Sequence, residues 1–402
     1  MKKILFILII LLYCSSFGQE NTRFIVVSDM HHYSPADNFK ETIFFEIVQA
    51  AISEQIDFIF FTGDLIITPL SENIPIDSLF KDWRYVLETL GSNGIKVYAC
   101  RGNNDVSREA WDSLFTGDYT FPANGPEDEK NITYALEYNN ILFIALDQYI
   151  NPHRINQEWL NGILKSSTRQ HIFVAGHEPA FKLLQSNCMG AYPEKRNIFW
   201  ERLIAAGVKI YFCGHDHFYD HTIIDNGDGN THNDVHQVIA GTAGQLHSDA
   251  AYDGDNGRWT PVRLFHEKEN GYVLVDVQGG EVKLTWKKRI EANVFADGGD
   301  SYTFLSSRSE ERNVPATFIL SQNYPNPFNP VTTINYQLPK ISELELSIYN
   351  LNGQKVTTLV SKKQPAGQHQ VQWDASGFAS GIYYYMIKAG EFRQVKKMIL
   401  LQ

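Results

Sequence analysis

Phe24-Ile25-Val26-Val27-Ser28-Asp29-Met30-His31 is an apolar run that stops on an acid and a histidine. Consecutive apolar residues without polar alternation describe a strand buried on both faces, as in a parallel sheet. The pattern recurs down the chain. Phe58 to Phe61 stops at Thr62-Gly63-Asp64, and Lys96 to Cys100 stops at Arg101-Gly102-Asn103-Asn104-Asp105. His171 to Ala175 stops at Gly176-His177, and Lys209 to Cys213 stops at Gly214-His215-Asp216-His217. Helical spacing fills Glu41 to Glu54 and Asp77 to Leu90, and Ile141 to Leu146 is a further apolar strand. After His217 the pattern turns mostly β, with strands expected over Val235 to Ala240, Tyr272 to Val277 and Glu281 to Trp286. Strands alternating with helices predict an α/β layered fold. In such folds, chemistry gathers where loops leave the C-terminal ends of the strands.

The strand-end clusters offer two Asp, one Asn and four His as ligands: Asp29, Asp64, Asn103, His31, His177, His215 and His217. This oxygen and nitrogen set has no thiolate and suits Mn, Fe or Zn rather than a structural zinc cage. Flanking glycines let the backbone turn sharply and approach a ligand closely. A shared carboxylate can bridge two ions, and a dinuclear pair can activate water and clamp a phosphoryl oxygen.

The ordered set D-x-H, G-D, G-N-x-D, G-H, G-H-x-H resembles the calcineurin-like metallophosphoesterase family over roughly residues 23 to 290. The resemblance implies an αββα sandwich, two mixed β-sheets flanked by helices. It implies that Asp29, His31 and His217 bind a first metal, that Asp64 bridges, and that Asn103, His177 and His215 bind a second. The implied activity is hydrolysis of a phosphate ester by a metal-activated hydroxide, with two ions drawn from Mn, Fe or Zn.

Two departures from the family pattern bear on that activity. The family often has His after the Asn ligand, paired with the following acid. Here the pair is Asn104 and Asp105. Asparagine can donate to a phosphate oxygen but is no general acid near neutral pH, which favours a phosphodiester over a monoester. His32 offers itself as a substitute acid, or as a histidine outside the ligand set. The metal-binding Tyr of purple acid phosphatases is replaced by Ile67, so the tyrosinate colour is expected to be absent. Asp147, at the end of Ile141 to Leu146, either orients the ligands or caps its strand. Arg101 either meets phosphate or pairs with Asp105. A contrasting reading is a surface-displayed binding protein on the same scaffold.

The bulk properties fit this picture. The chain has 402 residues, too many for one typical core. Hydrophobic residues make up 43%, which excludes wholesale disorder, and the net charge of -11 disfavours nucleic acid as a partner. Lys2 and Lys3, then Ile4 to Leu12, then Ser16-Phe17-Gly18 read as a signal peptide over residues 1–18, too short to span a bilayer. Bulky Tyr13 before Cys14 argues against a lipoprotein site. Cys100, Cys188 and Cys213 are too sparse for a disulfide framework and read as small buried hydrophobes.

The phosphoesterase domain is expected over residues 19–295. Ala296 to Arg312 is rich in Ser, Gly and charge and reads as a linker, set at 296–314. A different module, 315–402, follows. Asn323 to Pro330 is a Pro/Asn turn cluster, and strands are expected over Thr332 to Leu338, Glu343 to Tyr349, Gln368 to Trp373 and Ile382 to Ile387. With Trp373-Asp374, Ser380-Gly381-Ile382-Tyr383 and Lys396-Lys397, this tail resembles the C-terminal sorting domain of type IX secretion cargo, an all-β sandwich. The resemblance implies the type IX machinery as partner, no stable transmembrane anchor, and export through the periplasm to the medium or the cell surface.

Overall fold

A computed structural model describes residues 21–30, 42–65, 76–105, 107–228, 233–247, 257–305, 318–338, 342–364, 367–390 and 392–401. Two compact units meet in sequence between Ser306 and Ser307.

The first unit holds strands β1 (Thr22–Val27), β2 (Phe58–Phe61), β3 (Lys96–Ala99), β4 (Tyr134–Tyr138), β5 (Ile141–Ala145), β6 (His171–Ala175), β7 (Ile210–Cys213), β8 (Tyr219–Asp225), β9 (Val235–Ala240), β10 (Thr260–Glu267), β11 (Gly271–Gln278), β12 (Glu281–Glu291) and β13 (Val294–Leu305). Its helices are α1 (Ile43–Ser53), α2 (Ile76–Ser92), α3 (Arg108–Leu114), α4 (Gln157–Ser166) and α5 (Pro193–Ala205). One six-stranded sheet runs β13-β12-β11-β1-β2-β3, and one seven-stranded sheet runs β10-β8-β9-β7-β6-β5-β4. Both are mixed. β1, β2 and β3 are parallel, as are β5, β6, β7 and β9, while the outer strands pair antiparallel.

The continuous apolar runs are explained by two buried faces per strand. Phe24, Phe58 and Phe60 of the first sheet meet Phe143, Phe173 and Phe212 of the second. Phe60 stacks on Phe143 at 4.3 Å, and Phe24 stacks on Phe58 at 4.6 Å while meeting Phe143 and Phe173 edge-on. The alternate residues face outward under helices. Phe44, Ile47 and Val48 of α1 cover the first sheet, with Phe44 edge-on to Phe61. Leu160 and Leu164 of α4 and Phe199, Trp200 and Leu203 of α5 join Leu142, Ile144, Ile172 and Val174 in a second core. This is a sandwich of two mixed sheets flanked by helices, as expected. Truncating one inter-sheet phenylalanine to alanine would cost about 3–5 kcal/mol, so the strand ends above this layer stand on a stiff platform.

Most expected elements lie within a residue or two of their observed positions. The linker reading needs correction, because β13 runs to Leu305. β13 pairs with β12 and carries Asp300, buried against Tyr219 and His221. The stretch reads as a linker because an edge strand with one buried residue has no hydrophobic alternation. Its Gly298 is there for contact rather than flexibility, since a Cβ would lie 2.2 Å from Trp286 Cδ1. The rest of the expected linker lies outside the described residues, as does the 1–18 segment.

The second unit is all β. Strands β14 (Ile319–Leu320), β15 (Val331–Leu338) and β18 (Gly367–Asp374) form one sheet, and β16 (Ser342–Tyr349), β17 (Lys355–Gln364), β19 (Gly381–Ala389) and β20 (Phe392–Leu400) form the other. Tyr383 and Tyr385 point into its core with Trp373 and Phe328. Among the described residues, no helix of the chain is long and apolar enough to cross a membrane.

Asp300 accepts from the Tyr219 hydroxyl at 2.6 Å and meets His221 Nδ1 at 2.7 Å; His221 Nε2 in turn meets His236 Nδ1 at 2.7 Å. Asp300→Ala removes the acceptor from two buried groups, each worth about 1–3 kcal/mol when left unsatisfied. We expect calorimetric melting to fall by about 5–10 °C, at roughly 2–4 °C per kcal/mol. An unchanged melting temperature would mean that β13 contributes little to the sandwich.

Candidate metal centre

Five strand ends converge on one point. Asp29 follows β1, Asp64 follows β2, Asn103 follows β3, His177 follows β6, and His215 and His217 follow β7. Three of these take left-handed backbone: Asp29 at φ 58°, Asp64 at φ 52° and His215 at φ 71°. Non-glycine residues rarely adopt it, and its persistence marks sites that surrounding structure over-determines. Here the surroundings are neighbouring loops. The Asp29 amide donates to the Gly63 carbonyl, the Gly214 amide to the His177 carbonyl, and the Ala243 amide to the Ser28 carbonyl.

The side chains form two overlapping groups. Oxygen atoms of Asp29 and Asp64 and a ring nitrogen of His217 lie within 4.8 Å of one another, with His217 Nε2 3.4 Å from Asp29 Oδ1. Asn103 Oδ1 sits 3.1 Å from His177 Nε2 and 2.8 Å from His215 Nδ1, and His177 Nε2 is 3.5 Å from Asp64 Oδ2. His177 Nδ1 is held by the Thr62 carbonyl at 2.8 Å. That bond puts the proton on Nδ1 and turns the Nε2 lone pair toward Asn103 and Asp64, the outer support that ligand histidines need. Burial pushes the His215 imidazole down to about 3, so it stays neutral.

Glycines complete the cradle. A Cβ on Gly102 would lie 2.1 Å from Asp64 Oδ1, and one on Gly214 would lie 2.4 Å from Asp29 Oδ2 and 2.1 Å from Ser28 Oγ. Two carboxylates, one amide carbonyl and three imidazoles thus share a pocket that any larger residue at these glycines would invade. This donor set fits a pair of divalent or trivalent cations sharing Asp64. His31 and His32 lie outside the described residues, as does Ile67.

Other expected residues take more definite places. The Asn104 backbone amide donates to Asp64 Oδ1 at 2.8 Å, and its side-chain amide donates to Asp64 Oδ2 at 2.6 Å. Asp105 turns away from the cleft and accepts from the Leu65 and Gly102 amides. Arg101 is paired with Asp147 at 2.8 Å rather than with Asp105 or with the cleft. Asp147 also accepts from the Tyr149 and Ile150 amides, a strand-end cap. Cys100, Cys188 and Cys213 are free and buried, as expected. Gln185, Asn187 and His247 join Asp64, Asn104 and His215 around a cleft of about 210 Å³. The sequence reading missed His247, since it sits thirty residues past His217 in no motif.

The calcineurin-like phosphoesterase family model matches residues 22–219, and the secretion system C-terminal sorting domain model matches residues 322–401. The first unit is a calcineurin-like phosphoesterase domain. The second is a type IX sorting domain. The family implies a dinuclear metal site, for which the cluster above is a candidate. A purple acid phosphatase from yellow lupin seeds superposes with TM-score 0.52 at 17% identity, over 71% of this chain and 54% of that one. This chain therefore spans about half of the lupin protein, and the likeness at this identity concerns the fold. The structure of PhoD gives TM-score 0.49 at 12% identity, covering 72% of this chain and 70% of that one. The anchor protein of the inner membrane complex of Plasmodium gives 0.48 at 14%, covering 69% and 88%. No curated protein matches the chain.

Asn104 clamps both oxygens of Asp64. Asn104→Ala is therefore expected to weaken metal retention about 10-fold, the lower end of losses seen when an outer partner of a ligand is removed. Chelator competition followed by elemental analysis would show it. Unchanged retention would reduce the Asn104 contact to packing.

Proposed function

We propose that the first unit is a metal-dependent phosphoric ester hydrolase and that the sorting domain directs its export. The observation that carries the reading is the convergence of Asp29, Asp64, Asn103, His177, His215 and His217 in one cluster, of which Asp64, Asn103, His215 and His217 line a polar cleft. In this reading Asp29 and His217, with His31, would hold a first cation, Asn103, His177 and His215 would hold a second, and Asp64 would serve both. When bound, the cation pair supplies an activated water and positive charge for the phosphoryl oxygens. Mn, Fe and Zn all suit the ligands.

The chain's own residues do the rest. Thr62 and the Gly63 turn fix the His177 ring. Asn104 holds the Asp64 carboxylate in the orientation that bridging requires, and the same amide lies close enough to the cleft to orient a phosphoryl group. Asp105 serves by pinning the 102–105 loop to the Asp64–Leu65 turn. With an amide at 104, protonation of a poor leaving group has no donor there, which favours a phosphodiester, or an ester with a good leaving group, over a simple alkyl monoester. His32 is the alternative donor. Residues 1–18 would act as the signal peptide, and the protein would pass through the periplasm to the medium or cell surface.

The test is to strip the purified protein of metal, add back Mn, Zn or Fe, and assay a chromogenic phosphodiester beside the matching monoester. Metal-dependent cleavage with the diester faster is expected. Asp64→Ala is expected to lose dinuclear binding and more than about 100-fold in turnover, since losing even an outer partner costs about 10–100-fold. Full activity in that variant would overturn the bridging role. Two bound metals without cleavage of either ester would turn the reading toward a binding protein.

A further inference from the structure

Asp216 stands between two candidate ligands, His215 and His217, yet its side chain reaches a different loop. It is fully buried, and a carboxylate taken out of water costs free energy unless donors meet its oxygens. The Leu184 amide donates to Asp216 Oδ2 at 3.2 Å, and the Gln185 amide donates to Oδ1 at 3.0 Å. The turn that carries Asp216 is itself fixed. Its amide donates to the Gly214 carbonyl at 2.8 Å, and its carbonyl accepts from the Phe218 amide at 2.9 Å. Gly241 packs against that carbonyl so closely that a Cβ would lie 2.3 Å from it.

The loop that Asp216 holds is part of the cleft wall. Residues 184–187 lie between β6 and α5, in a stretch without helix or strand before the 3-10 turn at Met189–Ala191. Upstream, the Phe181 amide and carbonyl are both bonded to the Gln237 side chain at 2.9 Å. Downstream, Cys188 and Met189 are buried. Asp216 grips the more exposed span between these anchors. Gln185 and Asn187 of that span line the cleft with Asp64, Asn103 and His215, and Asn187 Oδ1 lies 3.4 Å from His215 Nε2. His247 joins the same cleft by a different route, with its ring flat on that of His217 and centroids 3.7 Å apart.

We infer that Asp216 is a positioning residue that fixes the 184–187 segment, so that Gln185 and Asn187 form a set wall for the organic part of the ester. The inference rests on the phosphoesterase reading above and deepens it. One residue thereby ties two sides of the cleft together. Its backbone carries His215 and His217, and its carboxylate carries the wall that faces them. Two consecutive backbone amides on the two oxygens of one carboxylate fix both the distance and the direction of the loop, which a single bond could not do. Each wall residue offers a primary amide, both donor and acceptor.

Asp216→Ala in the metal-loaded full chain tests it. The readouts are amide hydrogen exchange of the peptide spanning residues 183–187, bound metal by elemental analysis, and KM and kcat for the chromogenic diester. D216A should exchange the Leu184 and Gln185 amides about 10-fold faster, the scale of a lost hydrogen bond to a charged group. It should keep its metal and raise KM about 5-fold or more with kcat little changed, the signature of lost binding shared by ground and transition states. The double variant Q185A/N187A should raise KM similarly while the Leu184 amide stays protected. Unchanged exchange in D216A overturns the inference. Loss of metal in D216A also overturns it, because the carboxylate would then be supporting the histidines beside it. A wild-type KM in either variant overturns it too, because the wall would not meet the ester. If circular dichroism shows D216A unfolded, D216N, which keeps one accepting oxygen, takes its place with the same outcomes. Should the wild-type chain cleave no ester, the phosphoesterase reading fails and the wall loses its substrate, while exchange and metal content still decide whether Asp216 pins the loop.

Discussion

Two buried carboxylates set the terms for the rest of this domain. Asp29 and Asp64 are almost fully buried, and their oxygens belong to a cluster within 4.8 Å. Like charges at about 4 Å repel by roughly 4 kcal/mol at an effective dielectric of 20. The fold opposes that repulsion with backbone amides and side-chain donors: His215 N–H on Asp29, and both amides of Asn104 on Asp64. It also bends Asp29, Asp64 and His215 into left-handed backbone. Such an arrangement is held only because the loops are stitched together above a rigid aromatic layer. Cations between the carboxylates would turn the repulsion into attraction.

The residue at 104 shows how one substitution redistributes roles. A histidine there would offer a proton to a leaving group. Asparagine instead closes on the Asp64 carboxylate with two hydrogen bonds. Asp105, freed from pairing with a histidine ring, holds backbone amides. The cleft that results is small and polar, with no Lys or Arg lining it among the described residues. Its chemistry would then lean on bound metal.

What could be read in the sequence depended on burial. Strands covered on both faces announced themselves as apolar runs, and β2, β6 and β9 fall where the runs do. Strands exposed on one or both faces did not. β10 and β13 alternate between exposed and half-buried positions, so their composition resembled loop. Gly298 and Gly299 reinforced the linker reading of β13, although Gly298 exists to let the backbone cross the Trp286 indole. Helices α4 and α5 passed unremarked because loops and turn residues frame them closely. The dual readings of Arg101 and Asp147 could be resolved only by their mutual ion pair, 46 residues apart in sequence.

By itself the sequence determined which residues are candidate ligands and their order, because strand-end motifs are local and each chemical group sits within a few residues of its strand. It also marked the tail as a separate module through its turns and alternation. Only the tertiary structure decided which ligands face which, where Asn104 and Asp105 spend their hydrogen bonds, and that His247 stands against His217. Those are contacts between loops far apart in the chain. Their partners are chosen by how two sheets stack and where the strand ends meet, and no local pattern of residues encodes that distance.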